Sequence, residues 1–295
     1  MEQGNDHPGI AKFERHRARL FGIAYRMLGS VEEAEDVVQE AYLRWHQTDR
    51  SEVQAAEAWL VAVTTRLAID RLRRAAVERE HYVGAWLPEP IATGQEAATD
   101  RKVELSSDLS MAFLVLLERL APEERAALLL KDVFDADYRE IARVLEKSEP
   151  ASRQLVHRAR ERVRGPRARF TVSSETKERL LERFLVALHE DNQEALLQLV
   201  AEDATWTSDG GGKAKATRRV VRGAERVVRL ILGFERKGLG LVRHRVGELN
   251  GEPAILTTAE GRLFFTTSVE TDGQRLLAFF RVLNPDKLRH AQTPA

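Results

Sequence analysis

Three sets of residues in this chain carry side chains whose types and spacing suit chemistry. Residues 208–219 read SDGGGKAKATRR, three glycines and a lysine, the composition of a loop that cradles phosphate with backbone amides. A nucleotide-binding loop needs G-x-x-x-x-G-K-[ST] between a strand and a helix. Here Lys213 is followed by alanine, and the next helical pattern begins only near residues 222–224. The stretch is therefore read as a loop whose glycines permit positive φ and close packing against another part of the protein. A second set lies on the segment from Asp137 to Arg164. At about 100° per residue, Ala151, Leu155, Val156, Ala159 and Val163 fill one arc, with Arg153, Gln154, His157 and Arg158 roughly opposite. Guanidinium, amide and imidazole groups on the first half of a helix suit base edges in a DNA major groove. An ordinary amphipathic hairpin with a basic face has the same pattern. The third set, Asp203, Trp206, Asp209, His244 and Glu260, offers carboxylates and a histidine for acid–base chemistry in an apolar pocket. No spacing among them fixes a reaction, and a strand histidine is more often a surface or satisfied residue.

The elements that must hold these groups differ along the chain. Residues 10–45 alternate apolar and polar positions at helical spacing, broken by Gly29 and Ser30, and a third helix follows in AWLVAVTTRLAIDRLRR. The stretch 76–105 loses periodicity and contains WLPEP, whose prolines disfavour helix, so it reads as a linker. A second helical block spans 108–165, with Pro150 near the start of its last helix. From Ser173 two helices (ETKERLLERFLVALHE and NQEALLQLVAE) precede DATWTSDGGGK and a further helix. Four runs of period-two patterning then follow, with turns at NGEP, EGR and TDGQ.

Composition narrows the function classes. A hydrophobic fraction of 43% supports a real core, and the absence of cysteine excludes disulfides and thiolate metal sites. Neither a signal-peptide run nor a membrane-length apolar run is present, which fits a cytoplasmic protein. The zero net charge conceals segregation: residues 31–57 hold eight acidic and two basic residues, whereas 153–169 hold seven arginines and one glutamate. Such asymmetry points to two partners, a basic protein surface and nucleic acid. The alternative is a pair of solvated helix faces.

DVVQEAYLRW and AWLVAVTTRLAIDRLRR resemble region 2 of extracytoplasmic-function sigma factors, and LERLAPEERAALLLKDVFDADYREIA with the helix-turn-helix resembles their region 4. The C-terminal part resembles the SnoaL-like fold. WLPEP, DGGGK and NPDKL together resemble the sigma-J-type subgroup, in which that domain is fused to the sigma factor and regulates it in cis. The resemblance implies region 2 over 10–75, a linker over 76–105, region 4 over 106–168 and an α+β cone with a curved antiparallel sheet over 173–295. It implies that Asp36, Gln39, Glu40 and Leu43 dock on the β′ clamp of RNA polymerase, with the β flap as a further contact. Thr64, Arg66, Asp70, Arg73 and Arg74, with loop 47–57, would engage and open the −10 element. Arg153, Gln154, His157 and Arg158 would read the −35 element. Asp70 pairing with Arg66 or Arg73 on its own helix is the structural alternative, and Trp45 and Trp59 are read as core.

Trp86, Pro88, Asp209, Lys213, Asn284, Asp286 and Lys287 are expected to gather where the C-terminal domain packs against region 2 and the linker. Trp86 and Leu288 are the expected anchors, and Lys213 and Lys287 would meet acidic partners there. No cofactor, metal, membrane contact or catalysis is expected; a small-molecule ligand in the C-terminal domain is left open. A helix-turn-helix regulator with a ligand-sensing domain, or a SnoaL-like enzyme with an accessory DNA-binding part, are the rival readings. The first leaves the acidic helix and WLVAVTTRLAIDRLRR unexplained.

Two outcomes follow. Glu40→Lys sets like charge against a basic clamp surface, a juxtaposition that costs several kcal/mol, so co-purification with core polymerase should fall at physiological salt. Arg153→Ala and Arg158→Ala should each lose about 1–3 kcal/mol of base recognition. That loss would appear as weaker run-off transcription from a −35-dependent promoter, with polymerase binding intact.

Overall fold

The computed structural model describes residues 8–49, 53, 55–93, 109–164, 172–238 and 242–291. It divides into two compact units. One holds residues 8–78 and 116–164; the other holds 79–93, 109–115 and the described residues from 172 onward. The expected loop 47–57 lies partly outside the described residues, as do Arg167, Arg169 and the linker beyond residue 93.

The first unit is helical. α1 (Pro8–Leu28) ends where Gly29 takes φ +68°, and Ser30 then caps α2 (Val31–Gln47) by accepting from the Glu33 amide. α3 (Ala56–Arg79) completes this block, and Phe13, Leu20, Val38, Trp45 and Leu60 form its core with Trp59 packed against it. α4 (Met111–Leu117) crosses from the second unit into the first, and the second block there holds α5 (Pro122–Asp132), α6 (Tyr138–Leu145) and α7 (Glu149–Val163). Asp137 and Glu140 form a capping box at the start of α6. Glu146 closes α6 in the left-handed region, Ser148 caps α7, and Pro150 falls in its first turn.

The second unit is α+β. α8 (Ser174–His189) and α9 (Gln193–Leu199) lead into β1 (Val200–Asp209). β2 (Val221–Arg222) and α10 (Ala224–Gly238) precede β3 (Val242–Leu249), β4 (Glu252–Ala259), β5 (Arg262–Thr271) and β6 (Leu276–Val282). A 3₁₀ helix, Pro285–Ala291, follows. The β3–β4 and β4–β5 turns are two-residue hairpins, Asn250–Gly251 and Glu260–Gly261, all four at positive φ. The sheet order is β2-β1-β6-β5-β4-β3. All pairings are antiparallel except β1 with β6, which is parallel. The crossover through α10 carries the chain to the far edge, and three antiparallel steps return β6 beside β1 in the same direction. The helical reading of NQEALLQLVAE runs too far: the buried Val200 opens β1 in register with Leu276 instead.

β6 decides how this unit is built. Every residue of LLAFFRV is buried, whereas an antiparallel strand with one wet face would alternate. Phe279 packs with Leu181, Phe184, Trp206, Val227 and Ile231 under the helices. Ala278, Phe280 and Val282 face the other way, against Leu87, Met111 and Leu288. The linker therefore covers the second face of the sheet. No described helix is long and apolar enough to cross a membrane.

Candidate functional site

The four residues expected on polymerase lie on one exposed stripe of α2. Asp36, Gln39, Glu40 and Leu43 recur at i, i+3, i+4 and i+7, and Leu43 is 46% exposed. Val37, Val38, Ala41 and Trp45 turn the opposite side into the core. Glu40 pairs with Arg44 at 3.0 Å and Asp36 with Arg71 at 2.6 Å.

The residues expected at the −10 element are placed differently. Thr64 is fully buried, with no hydrogen-bond partner for its hydroxyl among the described residues. It is a core residue of α3, and the expectation that it touches DNA is corrected on that ground. Arg66 spends all three guanidinium nitrogens on the end of α6. Nε donates to the Val144 carbonyl and Nη2 to the Arg143 carbonyl, both at 2.8 Å, and Nη1 pairs with Glu146 at 2.9 Å. Asp70 pairs with Arg73, which also reaches Glu123 of α5 at 3.0 Å. Arg74 bonds the Asp70 carbonyl on its own helix. Val61 and Ala62 pack on the core of the second helical block. The buried Arg125 ties the blocks together, donating to the Met27 carbonyl at 2.6 Å and to Glu118 at 2.8 Å.

On α7 the two arcs are as spaced. Leu155, Val156 and Ala159 are buried; Arg153, Gln154, His157 and Arg158 are exposed. Arg153 rests on the Tyr138 ring at 4.4 Å, and Arg158 and Arg162 approach the buried Glu124. Gln154 and His157 have no polar partner among the described residues.

WLPEP, DGGGK and NPDKL meet around one carboxylate. Asp209 is fully buried at the end of β1. Its Oδ1 accepts from the Tyr82 hydroxyl at 2.6 Å and the Gly211 amide at 3.0 Å. Its Oδ2 accepts from the Leu87 amide at 2.9 Å and Lys287 Nζ at 2.7 Å. Lys287 also donates to the Leu87 carbonyl, and Asn284 donates to the Tyr82 hydroxyl. Two cations lie on the Trp86 ring, Arg79 at 3.5 Å and Lys287 at 4.1 Å from its centre. Gly211 sits at φ +56°, and a Cβ there would stand 2.3 Å from the Asn284 amide nitrogen. That explains the glycine without any phosphate. Further along, buried Glu89 meets His290 at 2.7 Å, and Ile91 exchanges hydrogen bonds with Asn250. Burial pushes the Lys287 ammonium below its usual range against the pull of Asp209. Burial, then the bond to Asp209, pushes the Tyr82 phenol well above its own.

Three details differ from the sequence reading. The acidic partners of Lys287 and Lys213 are Asp209 and Asp286, both from the C-terminal domain itself. The buried apolar anchors are Leu87 and Pro88, while Trp86 is only half-buried, and Leu288 is buried rather than exposed. The Lys213–Asp286 pair is exposed on both sides and contributes under about 1 kcal/mol. Tyr82, Glu89 and Asn250 were missed, because their partners lie more than a hundred residues away.

The acid–base candidates do not assemble. Asp203 and Glu260 are exposed, Asp209 belongs to the linker contact, and Trp206 is core. His244 is held between Glu235 and Thr257, with both ring nitrogens engaged. Among the described residues no cluster of histidine and carboxylate suits a metal.

Comparison with known proteins adds three findings. Sigma-70 region 2 matches residues 13–77, and Sigma-70, region 4 matches residues 110–163. The ECF RNA polymerase sigma factor SigJ of Mycobacterium tuberculosis is 37% identical over 289 residues, 94% of this chain and 92% of SigJ. The probable ECF RNA polymerase sigma factor SigI of the same species is 29% identical over 291 residues, 95% of each. The crystal structure of the M. tuberculosis extracytoplasmic function sigma factor SigJ superposes with a TM-score of 0.79 at 34% identity, covering 97% of this chain and all of that one.

Removing the central carboxylate strands the buried Leu87 amide, the part-buried Tyr82 hydroxyl and Gly211 amide, and the Lys287 ammonium. Asp209→Ala should therefore cost about 3–5 kcal/mol in the contact between linker and C-terminal domain. Hydrogen exchange at the Leu87 and Ile91 amides should accelerate while amides of α2 and α7 keep their protection. Equal protection in variant and parent would refute this placement of the stabilising energy.

Proposed function

This chain belongs to the extracytoplasmic-function RNA polymerase sigma factors, and from that premise we propose how its parts divide the work of promoter-directed initiation. The exposed α2 stripe, with Leu43 as an apolar point among acids, docks the chain on the β′ clamp, and region 4 meets the β flap. Arg153, Gln154, His157 and Arg158 of α7 read the −35 element from the major groove. Arg66, Asp70, Arg73 and Arg74 of α3, with the loop before it, act at the −10 element. Polymerase supplies much of the non-specific affinity, which reconciles DNA binding with a net charge of zero. The C-terminal domain acts in cis and is not catalytic, and the protein works in the cytoplasm.

One observation carries the regulatory reading. Leu87 in the linker and Met111 at the start of region 4 share a single cluster on the sheet of the C-terminal domain. The −10 and −35 elements stand about two helical turns apart on DNA, on the order of 70 Å. A linker and a region 4 entry pinned to one cluster cannot follow that separation. In the same state Arg66 is occupied by carbonyls of α6 rather than by phosphates. Promoter engagement then requires release of the linker, a population shift between docked and extended states.

Leu87→Ala and Trp86→Ala should raise run-off transcription with core polymerase and increase the radius of gyration in small-angle scattering, with helix content unchanged. Lys213→Glu, which breaks only an exposed pair, should have a much smaller effect. If transcription and scattering both stay at parental values in Leu87→Ala, the linker contact is not the regulatory element.

A further inference from the structure

Arg281 stands apart from the other buried cations. Among the described residues, Arg26 donates to the Gly22 carbonyl, Arg125 to the Met27 carbonyl and Glu118, and Lys177 to Glu252. Each has an oxygen with negative charge or partial charge. Arg281 has one hydrogen bond among the described residues, from Nε to the Thr267 hydroxyl at 3.1 Å. Its two Nη nitrogens, the prongs of the guanidinium fork, have no partner there. Glu235 is the acid whose charge it feels, and that carboxylate is already bonded to His244.

The setting is apolar and aromatic. Arg281 lies on β6 two residues beyond Phe279, on the face covered by the helices. Its guanidinium sits 4.0 Å from the Phe265 ring centre, 4.4 Å from Trp206 and 5.6 Å from Phe234. The Trp206 indole N–H is a second buried donor without a partner among the described residues. Arg281 keeps 5% of its surface accessible, so the position is not sealed. Burial pushes its proton affinity down to about 9, which still leaves it fully charged at neutral pH. A lone cation in such surroundings is destabilising unless an anion meets it, and the buried Trp206 N–H without a partner among the described residues calls for a cause.

We propose that the interior of the C-terminal domain binds a small organic carboxylate, its two oxygens on the Arg281 fork and its apolar or aromatic body against the Phe265 and Phe234 rings. The planar fork matches a carboxylate in bidentate fashion. A monoanion fits better than a phosphate dianion, because Arg281 is the single cation placed there among the described residues and Glu235 adds negative charge nearby. The site binds rather than transforms: His244 has both ring nitrogens engaged, and a guanidinium is neither acid nor base at neutral pH. This inference is independent of whether the linker contact regulates transcription.

Benzoate, 1-naphthoate and octanoate test it on the full-length protein, with benzamide as the uncharged counterpart. At least one carboxylate should raise the melting temperature saturably and show ligand-observed NMR contacts with the protein, while benzamide does neither. Arg281→Met should weaken the binding roughly tenfold to a hundredfold. The same variant without ligand should melt no lower than the parent, since it removes an uncompensated buried charge. Should Arg281→Met fail to fold, Arg281→Lys keeps the charge but loses the fork, and weaker binding there supports the assignment. The proposal is overturned if none of the three carboxylates binds at millimolar concentration, if benzamide binds as well as benzoate, or if the Arg281 variants bind as the parent does.

Discussion

The carboxylate of Asp209 is the interaction on which the C-terminal unit depends. It has four acceptor positions, and four donors from three separate segments fill them: Tyr82 and Leu87 from the linker, Gly211 from its own loop, Lys287 from the terminal 3₁₀ helix. A buried carboxylate left half-paired is costly, so the segments gain by arriving together. WLPEP, DGGGK and NPDKL are one object for this reason, although Trp86 and Lys287 are separated by most of the chain. The prolines and glycines shape backbones that can approach a common point, and the charges supply what meets there.

Arg66 shows a related economy in the helical unit. The carbonyls at the end of a helix carry partial negative charge, and Arg66 takes two of them at the end of α6 together with Glu146. A guanidinium suited to phosphate oxygens is equally suited to these. The same donor geometry that would suit a phosphate lets Arg66 hold a protein surface here.

Much of this was legible in the sequence because it rests on local periodicity. The two arcs of α7 and the strands β3 and β5 follow from spacing alone, while the exposed stripe of α2 came through the family resemblance. What sequence could not convey was set by distant partners. Thr64 looks like a surface hydroxyl on a basic helix, yet neighbouring helices bury it. Val200 continues a helical pattern, yet pairing with Leu276 makes it strand. Asp209 looked like one acid among several in a glycine loop, and only the fold supplies Tyr82 and Lys287. Arg281 had no signal, since an arginine in a period-two run reads as the wet face of a strand. It is buried because β6 lies between two covered faces.

That double covering has a consequence for the protein as a material. Ala278, Phe280, Val282 and Leu288 are dry because Leu87 and Met111 lie over them. A chain whose linker has let go presents an uncovered apolar sheet face to water, the kind of surface through which proteins adhere to one another. Opening is thus hazardous in isolation and safest in the presence of a surface that holds the chain apart from its copies. The concentration of any opened form would be bounded by its own solubility.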